Sequence, residues 1–256
     1  MDFERNDRMR ERFGRKGKKA SKKAKAELLR NKKLVKKYYF LKPAPMFKPK
    51  RNRRLPKYDY SYIQWYGWPD GWNVAFADMF LDELGAEIKR TGQKDFAIFQ
   101  IKEKYGQMRC YTSGTSRKAN DIIYKYGHIS ENVCWTCGKP DVPMINDGWM
   151  HPVCFECYKK AEKRKEKYFA KYNINYIPKT DEELKERYEH FIDEDPDENG
   201  EYKIADSYKI RHLEDGKEVD EVYDLRETAN KVRERWERRK ANYKKRIIKR
   251  KAIERV

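Results

Sequence analysis

The sequence predicts an α+β fold. A small helix–hairpin–helix core carries a four-cysteine zinc module of ribbon or treble-clef-like type, with a basic amino-terminal arm and long charged carboxy-terminal helices around it. Three observations predict this. An apolar stripe of helical period crosses 72–88 and gives way to two short alternating segments over 95–114. Residues 134–157 read CWTCGKPDVPMINDGWMHPVCFEC, two Cys-x-x-Cys pairs held sixteen residues apart. Finally, 40% of the 256 residues are charged and 38% hydrophobic, too polar for one packed globule and suited to solvated helices and arms.

Taken in order, residues 1–57 predict a basic arm ending in a proline-rich linker. They hold 23 Lys/Arg against 5 Asp/Glu, a net charge of +18. Within them, 15–37 has too few apolar residues to fold alone and would become helical on a partner, while 40–60 carries four prolines. The folded core is expected to begin near Tyr60 and to extend over 58–172. Trp72, Phe76, Phe80, Leu84 and Ile88 recur every four residues as one helical face that Gly92 terminates. The stretch DFAIFQIKEKYGQMRCYTSG reads as a hairpin turning around Lys104–Gly106, and 115–130 as a helix leading into the cysteines.

Residues 173–224 form an acidic segment, opened by a capping box from Thr180 to Glu183 and holding a hairpin across Asp215–Gly216. Residues 225–256 predict a basic helix in which Leu225, Ala229, Val232, Trp236 and Tyr243 make a packing stripe that Arg239 and Arg246 interrupt. Residues 181–227 carry a net −12 and 228–256 a net +10, so the acidic segment is a candidate internal competitor for the basic ends.

Cys134, Cys137, Cys154 and Cys157 are the expected metal ligands. Each pair brings two thiolates to one ion from a single tight turn, and two pairs complete the tetrahedral all-sulfur set of a structural zinc with no open position for a catalytic water. Gly138 suits a left-handed exit from the first turn, and the second pair opens a helix whose dipole favours thiolate. The alternatives are a redox-active dithiol, or His151 replacing one cysteine; three residues before Cys154 and followed by proline, His151 reads as a neighbour of the site. Cys110 reads as a small buried strand residue. A second pattern, DPDENGEYKIAD over 195–206, has the oxygen-ligand spacing of a calcium loop, but lacks the terminal Glu and a partner loop, so an acidic Asn-Gly turn is favoured over Ca2+.

The order of GW, then FQIKEKYGQMRCY, then a helix ending in Ser, then CWTCG and GWMHPVCFEC resembles a family of bacteriophage and prophage zinc-binding proteins without an assigned activity. The likeness covers about 70–158. Its most specific pieces are QIKEKYG at 100–106, Arg109, Tyr111 and Gly148-Trp149; where that family commonly has Gly-Leu after the turn glycine, this chain has Gln107-Met108. The resemblance implies phage origin and zinc, and no reaction.

No catalytic pattern is present. His128, His151, His190 and His212 are scattered, TSGTS at 112–116 lacks the lysine of a phosphate loop, and no nucleophile sits in a recognisable context, so no catalytic residue and no small-molecule substrate are expected. No apolar run is long enough to span a membrane, MDFERNDRMRERFG has no signal-peptide core, and the paired cysteines suit a reducing interior, the host cytoplasm. The formal charge of +19 points to a polyanionic partner.

The function expected is non-enzymatic association with DNA or RNA. The contacts would come from Arg15, Lys16, Lys18, Lys19, Lys22, Lys23, Lys25, Lys32, Lys33, Lys36, Lys37, Arg51, Arg53 and Arg54, and from Lys244, Lys245, Arg246, Lys249 and Arg250. The alternatives are a virion-assembly component whose arms bind acidic proteins or packaged genome, and an enzyme with an unrecognised site. Trp65, Trp68, Trp135 and Trp149 serve base stacking or packing; Trp72 reads as packing.

Overall fold

The structure, a computed structural model, describes residues 22–43, 58–60, 62–64, 68–214 and 217–253. Helices and two-stranded antiparallel sheets make it an α+β chain of two compact units. One comprises the described residues up to 64 with Gly85–Lys102 and Cys110–Ala119; the other comprises Trp68–Leu84, Glu103–Arg109 and the described residues from Asn120 onward.

In the first unit, helix α1 (Lys22–Lys37) ends in a 3-10 turn at Tyr39–Leu41. Lys, Ala, Leu and Glu are strong helix formers, but their propensity alone leaves a helix of this length marginal in water. Burial of the residues just after the helix supplies the remainder. Tyr38, Phe40 and Leu41 are buried, and Phe40 meets Phe96 edge-on at 5.5 Å. Asn31, also buried, donates from Nδ2 to the Tyr60 carbonyl at 2.9 Å. Folded structure therefore starts well before Tyr60, a correction to the arm expected over 1–57: from Lys22 the chain is helix, and Tyr38, Phe40 and Leu41 are core. The lysines around them mask three apolar anchors when the segment is read by composition. Glu87, buried, accepts a two-pronged bond from Arg90 at 2.7 and 2.8 Å and a third from Ser116 Oγ; the Arg90 bond holds its carboxyl below the usual range.

The predicted stripe at 72–88 is buried throughout, on two helices instead of one. Helix α2 (Asp70–Ala75) stops at Phe76, whose φ of −146° is non-helical, and α3 (Ala77–Thr91) restarts at once. Gly92, at φ +63°, ends α3 as expected. Strands β1 (Ala97–Lys104) and β2 (Gln107–Ser113) form the hairpin, turning through Tyr105 at φ 53° and Gly106 at φ 73°, the double left-handed turn that matches strand twist.

Helix α4 (Arg117–Glu131) lies in the second unit from Asn120 onward, and there Tyr126 stands 5.7 Å from Phe76 and 5.4 Å from Phe80, in an aromatic core with Trp68 and Trp72. Strands β3 (Met144–Asn146) and β4 (Met150–Pro152) pair antiparallel, and α5 (Phe155–Lys171) comes next. Helix α6 (Asp181–His190) has the full capping box, Thr180 Oγ1 accepting from Glu183 N and Glu183 accepting from Thr180 N. Strands β5 (Ser207–Glu214) and β6 (Lys217–Asp224) pair from Ser207↔Asp224 to Glu214↔Lys217; the turn residues Asp215 and Gly216 lie outside the described residues. Helix α7 (Arg226–Ile253) begins directly after Leu225; Leu225, Ala229 and Val232 are buried, Trp236 is half-buried and Tyr243 is exposed.

Candidate metal centre

The sulfurs of Cys134, Cys137, Cys154 and Cys157 all lie within 4.8 Å of one another. Cys137 and Cys154 sulfurs are 3.8 Å apart. That is the edge of a tetrahedron whose centre lies about 2.3 Å from each corner, the Zn–S bond length; a disulfide would need about 2.05 Å. All four are free thiols. The donor set and its spacing fit one tetrahedral zinc.

Local backbone explains the convergence. The first pair sits on a turn in which Gly138 N donates to Cys134 O and Cys134 N donates to Lys139 O, both at 2.8 Å, with Gly138 at φ +79°. Trp135 N donates to Pro152 O at 2.9 Å, tying this turn to β4. Cys154 is the N-cap of α5 and Cys157 lies in its first turn, so the second pair meets the positive end of a 17-residue helix. Three hydrogen-bonding thiols lower the Cys134 thiol, with Cys137 the largest contributor, while Cys157 is held up chiefly by Cys134. Four sulfurs this close cannot all ionise without a cation, and a divalent metal removes that obstacle.

The surrounding core is apolar and aromatic. Val142, Ile145, Val153, Tyr158 and Tyr188 are buried against the cysteines. Tyr188 donates from its hydroxyl to Val153 O at 2.7 Å, and Trp72 Nε1 donates to Val133 O at 2.9 Å, one residue before the first ligand. His151 lies beside the centre and outside the ligand set: its Nδ1 donates to Trp149 O at 2.6 Å and its ring stacks on Trp135 at 4.1 Å.

Several contributors carry no sequence signal that would single them out. A Cβ on Gly71 would lie 2.1 Å from the Cys134 carbonyl oxygen, and one on Gly138 2.5 Å from the Gly71 oxygen, so two bare backbones meet here. Asp141, at φ 55°, takes Arg233 Nε and Nη2 at 2.8 Å each and Ile204 N at 3.0 Å, joining the metal loop to α7 across 92 positions of sequence. Arg239 adds a bond from Nη1 to Cys137 O at 3.2 Å. Only Gly138 was legible, from its place after the first pair.

Among the described residues the four cysteines are the one cluster of three or more His, Cys, Asp or Glu side chains placed to hold a metal. In the stretch 195–206, Asp197 Oδ1 accepts from Asn199 N and Glu201 N at 2.9 and 2.8 Å, and Lys203 Nζ sits 3.2 Å from Oδ2. That is an Asx turn whose carboxylate also pairs with the Lys203 ammonium. The Cys110 thiol is raised by burial, although the residue as a whole is only half-buried.

Of the basic residues expected to meet phosphate, Arg15, Lys16, Lys18, Lys19, Arg51, Arg53 and Arg54 lie outside the described residues. Lys22 and Lys23 begin α1, on which Lys25, Lys32, Lys33, Lys36 and Lys37 are exposed; Lys244, Lys245, Arg246, Lys249 and Arg250 fall on α7. Acidic side chains of 181–227 pair with nearby bases: Asp181 with Lys159 and Lys163, Asp220 with Arg211, Asp224 with Arg226. Trp68 and Trp72 are buried and Trp149 is 55% exposed; Trp65 lies outside the described residues. Among the described residues no helix is long and apolar enough to cross a membrane. Comparison with protein-family models, curated proteins and solved structures finds no match.

Proposed function

We propose that this chain is a non-catalytic, zinc-organised nucleic-acid-binding protein of phage type. Its first cysteine turn, hairpin β3–β4 and helix α5 would form a treble-clef-like hub, and its basic helices would contact phosphate. The observation that carries the reading is the lysine density of α1: Lys25, Lys32, Lys33 and Lys36 are all exposed, while the chain as a whole holds +19. A solvated face needs far less excess charge than this, whereas a polyanion rewards it by releasing condensed counterions. The Lys-rich composition favours phosphate contact over base reading. The zinc centre supplies rigidity in a chain short of aliphatic core, and the likeness over 70–158 supports the phage context.

Binding of single- and double-stranded DNA and RNA to the zinc-loaded chain across salt concentrations tests this. The comparison is with a variant carrying Lys25→Gln, Lys32→Gln, Lys33→Gln and Lys36→Gln, which leaves the buried Tyr38–Leu41 anchor intact. The expected result is a steep loss of affinity with salt, its logarithmic slope shallower in the variant by about 0.9 for each duplex phosphate contact removed. No binding at low salt, or a slope unaltered by the substitutions, overturns the reading.

A further inference from the structure

Helix α7 carries its apolar stripe further than the protein covers it. Leu225, Ala229 and Val232 are buried, Trp236 is half-buried, and Tyr243 is 67% exposed. Where the stripe leaves the core, Trp236, Arg239, Lys240 and Tyr243 stand at i, i+3, i+4 and i+7, one face of the helix. This face borders a cleft of about 670 Å3, together with Asp70, Val74, Thr136 and Cys137. A concavity of this size lies within the range of small-molecule sites.

Its chemistry is divided. Trp236 and Tyr243 offer aromatic faces and Val74 an aliphatic one. Asp70, Thr136 and Asn242, all exposed, offer hydrogen-bonding groups along the border, with a carboxylate among them that repels phosphate. Arg239 lies over Trp236, 5.9 Å from the ring centroid, and uses Nη1 on the Cys137 carbonyl, leaving other guanidinium donors. Lys240 makes a surface pair with Glu237 at 3.5 Å, which solvent screens. Beyond Tyr243 the helix continues through Lys244, Lys245, Arg246, Lys249 and Arg250.

We propose that this cleft takes one unpaired nucleotide of a nucleic-acid strand, its base stacked against Trp236 or Tyr243 and its phosphates turned outward to Arg239 and Lys240. The proposal rests on the nucleic-acid reading above and adds a place and a strandedness to it. A base brings a π-face for the aromatics and amino groups for the Asp70 carboxylate, whereas a duplex presents neither unstacked face to a cleft. A protein partner fits less well, because three of the nine bordering residues are charged and the basic run continues directly along the same helix.

The test is photocrosslinking of the zinc-loaded full chain to a 12-nucleotide single strand containing 5-iododeoxyuridine, with the crosslinked peptide identified by mass spectrometry. In parallel, single- and double-stranded affinities are measured for wild type, Tyr243→Ala, Tyr243→Phe and Lys240→Gln. Crosslinks are expected in the peptide holding Trp236 or Tyr243. Tyr243→Ala should weaken single-strand binding about 5- to 150-fold, the range for loss of one base–aromatic stack, with duplex binding unchanged and Tyr243→Phe restoring it. Lys240→Gln should lower the single-strand salt slope by about 0.7. Tyr243 is exposed, so an unchanged melting temperature is expected to accompany its loss of binding. Crosslinks confined to other lysine-rich peptides, with Tyr243→Ala binding as wild type, overturn the cleft while leaving the nucleic-acid reading in place. A chain that binds no oligonucleotide overturns both and leaves the cleft to a protein partner.

Discussion

Two stretches of this chain have the spacing of a metal site, and the structure treats them in opposite ways. At 134–157 four sulfurs converge to within 4.8 Å of one another. At 195–206 the central carboxylate, Asp197, is engaged by two backbone N–H groups and by Lys203. The difference lies in what else the donors can do. A thiol is a poor hydrogen-bond acceptor, so four clustered ones, three of them buried, have no good partner besides a metal. A carboxylate beside an Asn-Gly turn has the turn itself, and satisfies the adjacent N–H groups as readily as it would ligate an ion. Spacing proposes a site; competition for the donors decides it.

The largest effect should come from breaking the sulfur set. Cys154→Ser removes one ligand and leaves three sulfurs around a weakened site. Structural zinc is worth roughly 10–16 kcal/mol in small zinc domains, far more than the usual net stability of a domain. The variant, or the wild type treated with a chelator, should lose the cooperative melt of the second unit, which holds the four cysteines, and colorimetric zinc release should fall from one equivalent to none. A melt unchanged by chelation would mean that the aromatic packing around Tyr158 and Tyr188 holds the unit without metal.

The next effect concerns how the first cysteine turn is held in place. Gly71→Ala would push a methyl group to 2.1 Å from the Cys134 carbonyl oxygen, which no side-chain rotation relieves. Overpacking of this kind costs about 3 kcal/mol, and the melting temperature should drop accordingly, with zinc still bound at saturating concentration. Smaller again is the tie between the metal loop and α7. Arg233 and Asp141 are each less than a third exposed, at 30% and 28% for the side chains. Arg233→Met removes both guanidinium bonds and leaves Asp141 to the Ile204 N–H; a loss of about 2 kcal/mol is expected from urea denaturation. An Asp141→Asn, Arg233→Met double variant no less stable than Arg233→Met alone would show that the two act as one unit.

The same contrast explains how far the sequence could be read. The two Cys-x-x-Cys pairs, the left-handed Gly138, the hairpin turn at Tyr105–Gly106 and the capping box at Thr180 were legible because each is a pattern of a few consecutive residues. The break at Phe76 was not, since the four-residue stripe continues across it and periodicity is blind to one non-helical φ. Tyr38, Phe40 and Leu41 were hidden by the lysines around them; Phe40 packs on Phe96, more than fifty positions away. Gly71 resembles any turn glycine until Cys134 is placed above it. Asp141 and Arg233 lie 92 positions apart, and nothing in either neighbourhood marks the other.

The smallest effect belongs to the acidic loop, and it sharpens the comparison most directly. Asp197 has its carboxyl lowered below the usual range, first by the Glu201 N–H and then by Lys203 and the Asn199 N–H. A carboxyl lowered by folding stabilises the folded turn at every pH above its unfolded value, and that contribution disappears as pH falls through the lowered folded value. The Gly200 and Glu201 amide resonances should therefore titrate with a midpoint below that of an unperturbed aspartate. Millimolar Ca2+ at neutral pH should leave them in place, because binding would have to displace Lys203 and both N–H donors from Asp197. Asp197→Asn keeps an acceptor oxygen for the turn but loses the charge, so it should abolish the titration and hardly move the melt. Saturable calcium shifts centred on Asp195, Asp197 and Asp206 would reverse the argument: the carboxylates would then prefer the ion to their own backbone, and the Asx turn would be the resting form of a site.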